Sequence, residues 1–410
     1  MAFTFHLNLM CQYSFYREKS MVLKNAQMIR GFAKDEFETR LAQAQILMGQ
    51  NSVDALFLTT EPEILYFTGY LTRFWESPSR PWFLIVPQSG KPLAVIPSIG
   101  AVLMAKTWIS DIRTWSSPDL NDDGVTLLAE TLTEVLGPNA RIGVPSGHET
   151  HLRMPLSDFD RLKSLVPNLK FVDDFDIIRS LRLIKSEAEI GKIKTACNIA
   201  GRAFERVGEI AKAGMPMEAI FRNFQGLCLA EGADWVPYLA GGRGPLGYDD
   251  VISPASTDPL EKGDILMLDT GLVYDGYFCD FDRNYRVGSC DQKAEDVYQM
   301  LLEAVEAGKQ VATPGKTARD VFDAMDQIVT GGTGLGDVGR LGHGVGMQLT
   351  EWPSFIKGDL TELKEGMVLT LEPGIAMPGG GLIVHEDNFV VRRGEPEQIS
   401  PKAPTSLWEI

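Results

Sequence analysis

The chain has 410 residues, of which 44% are hydrophobic and 23% charged, as expected of a soluble globular protein with more than one domain. Its formal net charge of −16 argues against nucleic-acid binding, because no basic field is available to contact phosphates. No apolar run reaches the roughly 18–20 residues of a membrane helix, and residues 1–20 lack the features of a signal peptide. We therefore expect neither a nucleic-acid nor a membrane partner.

The first 182 residues are predicted to form an α/β domain. After an irregular leader over 1–33, the apolar periodicity over 35–48 predicts a helix. Three buried strands are predicted, over 54–59, 82–87 and 93–96. Strands that alternate with helical stretches are typical of α/β folds.

A second domain is predicted over 186–400. Ser186 and Glu189 have the spacing of a capping box, and an apolar stripe then predicts a long helix that continues to Ile210. Further helices are predicted over 217–231, 294–307 and 318–329. We interpret their apolar stripes as core rather than as a cofactor site.

The five cysteines lie at positions 11, 197, 228, 279 and 290, without a Cys-x-x-Cys pair. Their odd number and scattered spacing predict free thiols and a reducing, cytoplasmic location. Cys279 adjoins Asp280, but alternation along a strand turns neighbouring side chains to opposite faces. We therefore expect Cys279 to be a buried apolar residue.

Four carboxylates and one imidazole in the last third of the chain have settings that suit metal ligands. They are Asp269, Asp280, His343, Glu372 and Glu386. A turn signal between Asp269 and Asp280 predicts a hairpin that brings both carboxylates to one end. His343 lies among glycines that allow close backbone approach. Each residue alone is more often a turn or loop residue, so the prediction depends on the ordered set.

The charge of this set predicts the number and kind of ions. Four carboxylates and a neutral imidazole carry four negative charges, which could not all persist in one cluster without cations. Two divalent ions would cancel them, and an oxygen-rich set with one His suits Mn, Co, Fe or Zn. Two such ions roughly 3.5–4 Å apart can hold a bridging hydroxide and polarise a carbonyl.

The strings around these residues resemble the pita-bread metallopeptidases, which include methionine aminopeptidase, aminopeptidase P, prolidase and the related creatinase. The matching strings are 268–271, 276–283, 342–346, 371–374 and 385–388. The resemblance implies a creatinase-like α/β N-terminal domain followed by a pita-bread domain, a duplicated α+β half-barrel. It also implies that the five residues are the ligands of a dinuclear centre.

Three positions depart from the pattern of the peptidases in this family. Thr350 replaces the His that usually begins a His-Glu-x-Pro string, and no His lies between Ala233 and Asp269, where peptidases carry one. Val384 stands where many members have Arg. These changes affect substrate binding and proton transfer rather than the metal, and general acid–base help is worth ~10²–10⁴ in rate.

The resemblance and the neighbouring residues suggest which groups act in catalysis. The candidates are Glu372, Thr350, His385 and Tyr248. Glu372 is the expected general base, because its family counterpart contacts the attacking water while binding metal. The others would place the substrate or donate a proton. Alternation from Glu386 favours a structural role for His385 over a catalytic one.

A second group of residues is expected to contact substrate. It comprises Arg73, Trp75, Arg80, Asp249 and Trp352. In creatinase-like dimers an N-terminal loop enters the partner's active site, where an Arg fork can bind a carboxylate. The more economical interpretation is that the aromatic and Arg residues of this loop pack against one another.

Together these observations predict a homodimeric cytoplasmic metallohydrolase that cleaves a C–N bond with a metal-bridging hydroxide as nucleophile. An Xaa-Pro aminopeptidase-like or dipeptidase-like enzyme acting on a short peptide or other small molecule is the first choice. One alternative is a non-peptide member resembling creatinase, ectoine hydrolase or dimethylsulfoniopropionate lyase, which the absent histidines favour. The other is a non-catalytic pita-bread binding protein, which the retention of all five residues disfavours.

Overall fold

A six-stranded mixed sheet organises the N-terminal part of the chain. Its strands are β1 (Ala55–Leu58), β2 (Phe83–Pro87), β3 (Leu93–Pro97), β4 (Asp111–Trp115), β5 (Arg141–Val144) and β6 (Lys170–Asp173). Their order is β4-β3-β2-β1-β5-β6. Strand β2 runs antiparallel to both of its neighbours, and the other pairs are parallel. The chain here is described by a computed structural model that covers residues 30–77, 80–334, 339–377 and 381–410.

Helices cover this sheet and connect its strands. They are α1 (Lys34–Asn51), α2 (Glu61–Thr68), α3 (Ala101–Met104), α4 (Val125–Val135), α5 (Leu156–Leu165) and α6 (Ile177–Leu183). Leu128, Leu132 and Leu162 pack with Phe57 and Phe83 in one buried apolar cluster. The three predicted strands agree with β1 to β3 to within one residue at each end. The leader predicted over 1–33 lies almost wholly outside the described residues.

The remainder of the chain builds two five-stranded sheets and one two-stranded sheet. The first contains β7 (Trp235–Gly244), β8 (Ile265–Tyr274), β9 (Tyr277–Phe278) and β10 (Phe281–Arg286). The second contains β11 (Gly342–Gly344), β12 (Glu351–Ser354), β13 (Val368–Leu371), β16 (Asp387–Val390) and β17 (Glu397–Gln398), and the pair is β14 (Gly374–Ala376) with β15 (Leu382–Val384). Strand β18 (Trp408–Glu409) completes the first sheet beside β10.

Five helices pack on these sheets in the described part of the chain. They are α7 (Glu187–Phe204), α8 (Val207–Ile210), α9 (Met217–Glu231), α10 (Gln292–Val311) and α11 (Ala318–Val329). Helices α7 and α9 contact β8 and β7, whereas α11 shares a buried cluster with β13. Repetition of helices on a sheet confirms the predicted mixed α/β architecture. Among the described residues, no helix has the length and apolarity that crossing a bilayer requires.

The predicted helices are found with small changes at their ends. Helices α9 and α11 coincide with the predictions, and α10 is longer than predicted. The capping box at Ser186 is formed, because its hydroxyl accepts from Glu189 N and Glu189 accepts from Ser186 N. The helix predicted to reach Ile210 ends at Phe204, and the short α8 follows.

A buried ion-pair cluster joins the end of the N-terminal part to the second C-terminal sheet. Arg182 Nη2 lies 2.6 Å from Glu351 Oε1, and Lys185 Nζ lies 2.9 Å from Glu351 Oε2. Arg182 also donates to Gln348 Oε1 at 2.7 Å. Because all three charged side chains are buried, the contact fixes β12 against the segment that precedes α7.

Candidate metal centre

The first two candidate ligands lie on the hairpin formed by β8, β9 and β10. Tyr274 pairs with Tyr277 across a two-residue turn, Asp275-Gly276, in which both residues have positive φ. Asp-Gly is the preferred pair for such a turn, because its left-handed backbone matches the twist of the flanking strands. The predicted hairpin is therefore confirmed, and its register pairs Asp269 with Asp282, two residues after Asp280.

The other three candidates lie on adjacent strands of the second sheet. His343 pairs with Thr370 between β11 and β13. Glu372 directly follows β13, and Glu386 directly precedes β16, which runs antiparallel to β13. The end of β13 thus lies beside the start of β16. Glu372 and Glu386 are therefore both close to the His343 imidazole.

Interatomic distances show a compact cluster. Asp280, His343 and Glu386 each present one possible ligand atom within 4.8 Å of the other two. His343 Nε2 lies 3.3 Å from Asp280 Oδ2 and 3.9 Å from Glu372 Oε1. The Nδ1 atom of His343 lies 2.8 Å from Gly344 O, which favours a proton on Nδ1 and leaves the Nε2 lone pair directed at the carboxylates.

Asp269 completes the set from β8. Its Oδ2 accepts a hydrogen bond from Tyr238 OH at 3.0 Å. Its Oδ1 is buried and has no hydrogen-bond partner in the part of the chain that the structure describes. A buried carboxylate oxygen without a donor is costly, so this atom is suited to a cation.

The pKa shifts of the cluster also indicate a cation site. Desolvation and neighbouring carboxylates raise the pKa of Asp269 to about 8 and the pKa values of Asp280 and Glu386 well above their usual range. Desolvation raises the pKa of Glu372 to about 7 although Arg340 opposes the shift. Four clustered carboxylates thus cannot all ionise alone, and divalent cations would supply the missing positive charge.

His343 is the neutral member of the set. Burial and the positive field of Arg340 lower the pKa of His343 to about 3, so the ring is an uncharged donor at neutral pH. A neutral imidazole with carboxylate oxygens is the donor chemistry of divalent transition-metal sites. The buried Oδ1 of Asp269 and the free Nε2 lone pair therefore fit the predicted ions.

Several residues that support the cluster were not identified from sequence. Thr370 Oγ1 donates to Glu386 Oε1 at 2.5 Å, and Asp282 Oδ1 accepts from Glu386 N at 2.9 Å. The Tyr238 hydroxyl holds Asp269 as described above. Their only sequence signal is proximity to the predicted ligands, and the contacts depend on strand register.

Arg340 is the most important residue that sequence reasoning missed. Its Nε donates to Glu372 Oε1 at 3.2 Å, and its Nη2 donates to Thr350 Oγ1 at 3.0 Å. Thr350 is therefore connected to Glu372 through the Arg340 guanidinium. It has no imidazole ring, unlike the His that it replaces. The sequence offers a signal only in hindsight, because Arg340 lies three residues before His343.

The structure buries two of the predicted catalytic residues, Tyr248 and His385. Tyr248 is buried, and its hydroxyl accepts from Val384 N at 2.6 Å, so it ties β15 to the loop after β7. His385 is also buried, with Nδ1 3.4 Å from Asp282 Oδ1 and Nε2 3.2 Å from Asp387 Oδ2. Burial disfavours its charge, but these carboxylates raise the pKa of His385 to about 9. Burial and these contacts favour structural roles for both side chains, and their catalytic roles stay predictions.

Two of the predicted substrate contacts, Trp75 and Trp352, are likewise buried. Trp75 is buried against Trp82, with ring centroids 5.8 Å apart. Trp352 is buried beneath Arg179, whose guanidinium carbon lies 5.3 Å from a ring centroid. Both rings pack against neighbouring side chains, and Trp352 also lines a small pocket, so their contact with substrate stays a prediction.

The remaining predicted contacts stay predictions. Arg73 is half-exposed and its guanidinium carbon lies 3.8 Å from the Trp235 ring centroid of the same chain. Arg80 donates to Ser77 Oγ at 3.2 Å within the predicted loop. Asp249 is exposed on the loop that follows β7.

A cavity of about 360 Å³ lies between α2 and the hairpin of β8 and β9. Its walls include Arg73, Trp235, Phe278 and Leu349. Gly271, two residues after Asp269, packs against Leu349 so closely that an added Cβ would overlap the Leu349 side chain. Leu349 thus lies both on the wall of this cavity and against the strand that carries Asp269.

The cysteines agree with the expectation of free thiols. Cys197, Cys228, Cys279 and Cys290 are unpaired, and position 11 lies outside the described residues. Burial raises the pKa of the Cys279 thiol well above its usual range. As expected, Cys279 is a buried neutral residue and not a ligand beside Asp280.

Comparison with known proteins assigns the chain to a family. Residues 191–393 match the model of metallopeptidase family M24, and residues 40–184 match the creatinase/prolidase N-terminal domain. The chain belongs to the M24 metallopeptidases. It is a hydrolase of the pita-bread fold, and its family implies divalent metal ions.

Relatives match the chain over almost its whole length. The Xaa-Pro dipeptidase of Pyrococcus furiosus is 28% identical over 367 residues, which cover 88% of this chain and 97% of that protein. The probable dipeptidase PepE of Mycobacterium tuberculosis is 29% identical over 382 residues, covering 90% of this chain and 98% of that protein. The solved structure of dipeptidase PepE from Mycobacterium ulcerans superposes with a TM-score of 0.79 at 27% identity, covering 93% and 99% of the two chains.

Proposed function

We propose that this protein is a metal-dependent peptidase that hydrolyses the Xaa-Pro bond of dipeptides or other short peptides. The observation that carries the proposal is the buried cluster of Asp280, His343 and Glu386, with Glu372 3.9 Å from the imidazole. Asp269 lies on the neighbouring strand, with one buried carboxylate oxygen that has no hydrogen-bond partner among the described residues. Similarity to proteins named Xaa-Pro dipeptidase supports the choice of bond.

The proposed centre holds two divalent ions, drawn from Mn, Co, Fe and Zn. Its proposed ligands are Asp269, Asp280, His343, Glu372 and Glu386. When bound, such ions lower the pKa of a water molecule and polarise the scissile carbonyl. Two ions match the four negative charges that the ionised ligands carry.

The protein's own groups have separate proposed tasks around the scissile bond. Glu372 keeps 27% of its side chain exposed, so its carboxylate is placed to take a proton from the attacking water and pass it to the leaving amine. The Thr350 hydroxyl can orient the substrate by hydrogen bonding, but it cannot titrate near neutral pH. Tyr238 keeps Asp269 in place, and Asp249 lies on a neighbouring exposed loop.

Metal content and peptide cleavage test the proposal together. Protein reconstituted with Mn or Co is expected to bind two ions per chain and to release proline from Xaa-Pro dipeptides. Glu372→Gln is expected to abolish turnover, whereas Glu303→Gln, at an exposed position of α10, is expected to keep full activity. Turnover that survives in Glu372→Gln, or full activity after complete chelation, would contradict the proposed centre.

A non-peptide substrate is the second candidate, because Thr350 replaces the usual peptidase His. On this alternative the unaltered enzyme cleaves ordinary Xaa-Pro peptides weakly and prefers a small amide or amidine. Screening against creatine, ectoine, dimethylsulfoniopropionate and a set of Xaa-Pro peptides distinguishes the two. Efficient cleavage of many Xaa-Pro peptides would eliminate the alternative.

We also propose a homodimer located in the cytoplasm. The four unpaired cysteines support a reducing compartment. In the dimer, Arg73 and Arg80 lie on the loop expected to border a neighbouring site. Equilibrium sedimentation tests the assembly, and Arg73→Ala should raise KM without unfolding the protein. A fully active monomer would exclude the arrangement.

A further inference from the structure

We propose that Arg340 is the residue that binds a carboxylate of the substrate. The inference rests on the proposed peptidase function and narrows its substrate class to peptides with a free C-terminal carboxylate beside the scissile bond. It also identifies Arg340 as a specificity-determining residue of the metal centre.

Arg340 is placed at the edge of the cluster with donors to spare. Its hydrogen bonds to Glu372 Oε1 and to Thr350 Oγ1 engage Nε and Nη2. A guanidinium has five N–H donors in a planar fork, so three remain after these contacts. About one third of the side chain, 32%, is exposed, so an incoming anion can reach it.

The ion pair between Arg340 and Glu372 can admit a second carboxylate. Both side chains are partly exposed, at 32% and 27%, and ion pairs in such settings are weak because water competes with them. A substrate carboxylate can therefore share the guanidinium with Glu372. Arg–carboxylate pairs are favoured by two parallel hydrogen bonds, which a lysine or an amide side chain does not provide.

The other positive groups around the cluster are already committed or uncharged. Arg283 is buried and donates to Asp387 Oδ1 at 2.9 Å and to Glu386 O at 3.1 Å. His385 lies between two carboxylates, and His343 directs Nε2 at Asp280 and Glu372. Arg340, by contrast, contacts Glu372 and keeps 32% of its side chain exposed.

Thr350 strengthens the assignment because it fixes the direction of the guanidinium. The hydroxyl accepts from Nη2 and carries no charge of its own, so it orients the cation without competing for an anion. Thr350 and Arg340 therefore act as one unit, in which a neutral residue positions a charged one. Loss of the Thr350 hydroxyl should accordingly weaken carboxylate binding less than loss of the Arg340 charge.

The experiment compares a free Xaa-Pro dipeptide with its C-terminal amide on the Mn-loaded enzyme. Arg340→Met is expected to raise KM for the free acid about tenfold to a hundredfold, with little change for the amide, because one charge-assisted contact is removed. Arg340→Lys should retain part of the preference. Arg393→Met, in an exposed ion pair with Glu365, is the matched control and should change neither substrate.

Product binding provides a readout that does not require turnover. Calorimetry on the metal-loaded protein should show tighter binding of proline than of prolinamide, and Arg340→Met should remove the difference while two metals per chain remain bound. If Arg340→Met weakens the binding of the acid and of the amide equally, or if the variant loses metal, then Arg340 is a positioning residue for Glu372 and the proposal is overturned. Absence of any preference for proline in the unaltered protein overturns it as well. Failure of the proposed function is distinguishable, since it appears as no cleavage of either peptide.

Discussion

The side-chain amide of Asn388 holds the main chain of Asp280 on both sides. Asn388 Oδ1 accepts from Asp280 N at 3.0 Å, and Asn388 Nδ2 donates to Asp280 O at 2.6 Å. The same Oδ1 also accepts from Cys197 Sγ at 3.3 Å. Since Asn388 lies two residues after Glu386, its side chain ties the strand that follows one candidate ligand to the main chain of another.

Asn388→Asp is expected to weaken metal binding about tenfold to a hundredfold, the range observed when groups that orient metal ligands are altered. The substituted carboxylate has the same shape and can still accept from Asp280 N, but it cannot donate to Asp280 O. Titration of the metal-free protein with Mn, followed by calorimetry, measures the effect. Thermal unfolding of the metal-free variant provides the control, since a change confined to folding would contradict a positioning role.

Local signals were sufficient for the hairpin that carries Asp269 and Asp280. The Asp275-Gly276 turn and the apolar runs beside it are readable in a single segment, and the same is true of α9 and α11. The ordered ligand set could also be proposed, because its motifs are distinctive even when far apart. The turn, the two helices and each ligand motif are all specified by a short stretch of consecutive residues.

Contacts between distant strands could not be predicted in the same way. Arg340 reaches Glu372 only because β11 pairs with β13, and it reaches Thr350 because β12 follows antiparallel to β11. Alternation predicted that His385 turns away from the ligands, but not that Asp282 of β10 would meet it. The loop containing Trp75 gave an ambiguous signal, which depth of burial resolved.

Gly344 is expected to be intolerant of even one added carbon atom. A Cβ at this position would overlap the main-chain carbonyl of Trp352, which cannot move without breaking the pairing of β11 with β12. Gly344→Ala should therefore lower the free energy of unfolding by about 1–3 kcal/mol and displace His343. Urea unfolding and metal titration measure both effects.

Gly394 offers a matched control for that substitution. Nothing lies within 4 Å of a Cβ built at Gly394, and its φ is not in the left-handed region. Gly394→Ala should leave stability unchanged or raise it slightly, because alanine restricts the unfolded chain. Equal effects of the two substitutions would show that the contact with Trp352 is not the cause.

Glu351→Gln is expected to cost about 3–5 kcal/mol of unfolding free energy, since it leaves Arg182 and Lys185 buried without a full counter-charge. Urea unfolding at pH 7 measures this loss. Glu134→Gln provides the comparison, because Glu134 pairs with Arg113 at the exposed surface and should change stability little. A small effect at both positions would show that the buried cluster does not hold the two parts of the chain together.

The contacts of Glu351 with Arg182 and Lys185 also predict how the stability of the protein depends on pH. Burial disfavours the charge of Glu351, but Arg182 and Lys185 outweigh burial and lower its pKa to about 2. A lowered pKa in the folded state contributes stability that is complete above the unfolded value, near 4.5, and is lost as the pH falls toward 2. The difference in stability between the unaltered protein and Glu351→Gln should therefore shrink below pH 5. A difference that stays constant down to pH 3 would exclude this linkage.

The metal-free protein should show the opposite pH dependence at its carboxylate cluster. The pKa values of Asp269 and Glu372 are raised to about 8 and about 7, so the folded state binds more protons than the unfolded state, whose carboxyls titrate near 4. Stability from these groups is complete below the unfolded values and is lost as the pH rises through the folded ones. Thermal unfolding in the presence of a chelator should accordingly give a Tm that falls between pH 5 and pH 8.

Added Mn should reverse that fall, because ions bind the deprotonated ligands of the folded chain and stabilise it by mass action. The increase in Tm on adding Mn should thus be larger at pH 8 than at pH 6. Asp269→Asn removes one of the raised groups, so its metal-free Tm should depend less steeply on pH and its response to Mn should be smaller. A metal-free Tm that rises from pH 5 to pH 8, together with a response to Mn that does not grow with pH, would show that the four carboxylates do not repel one another in the folded protein.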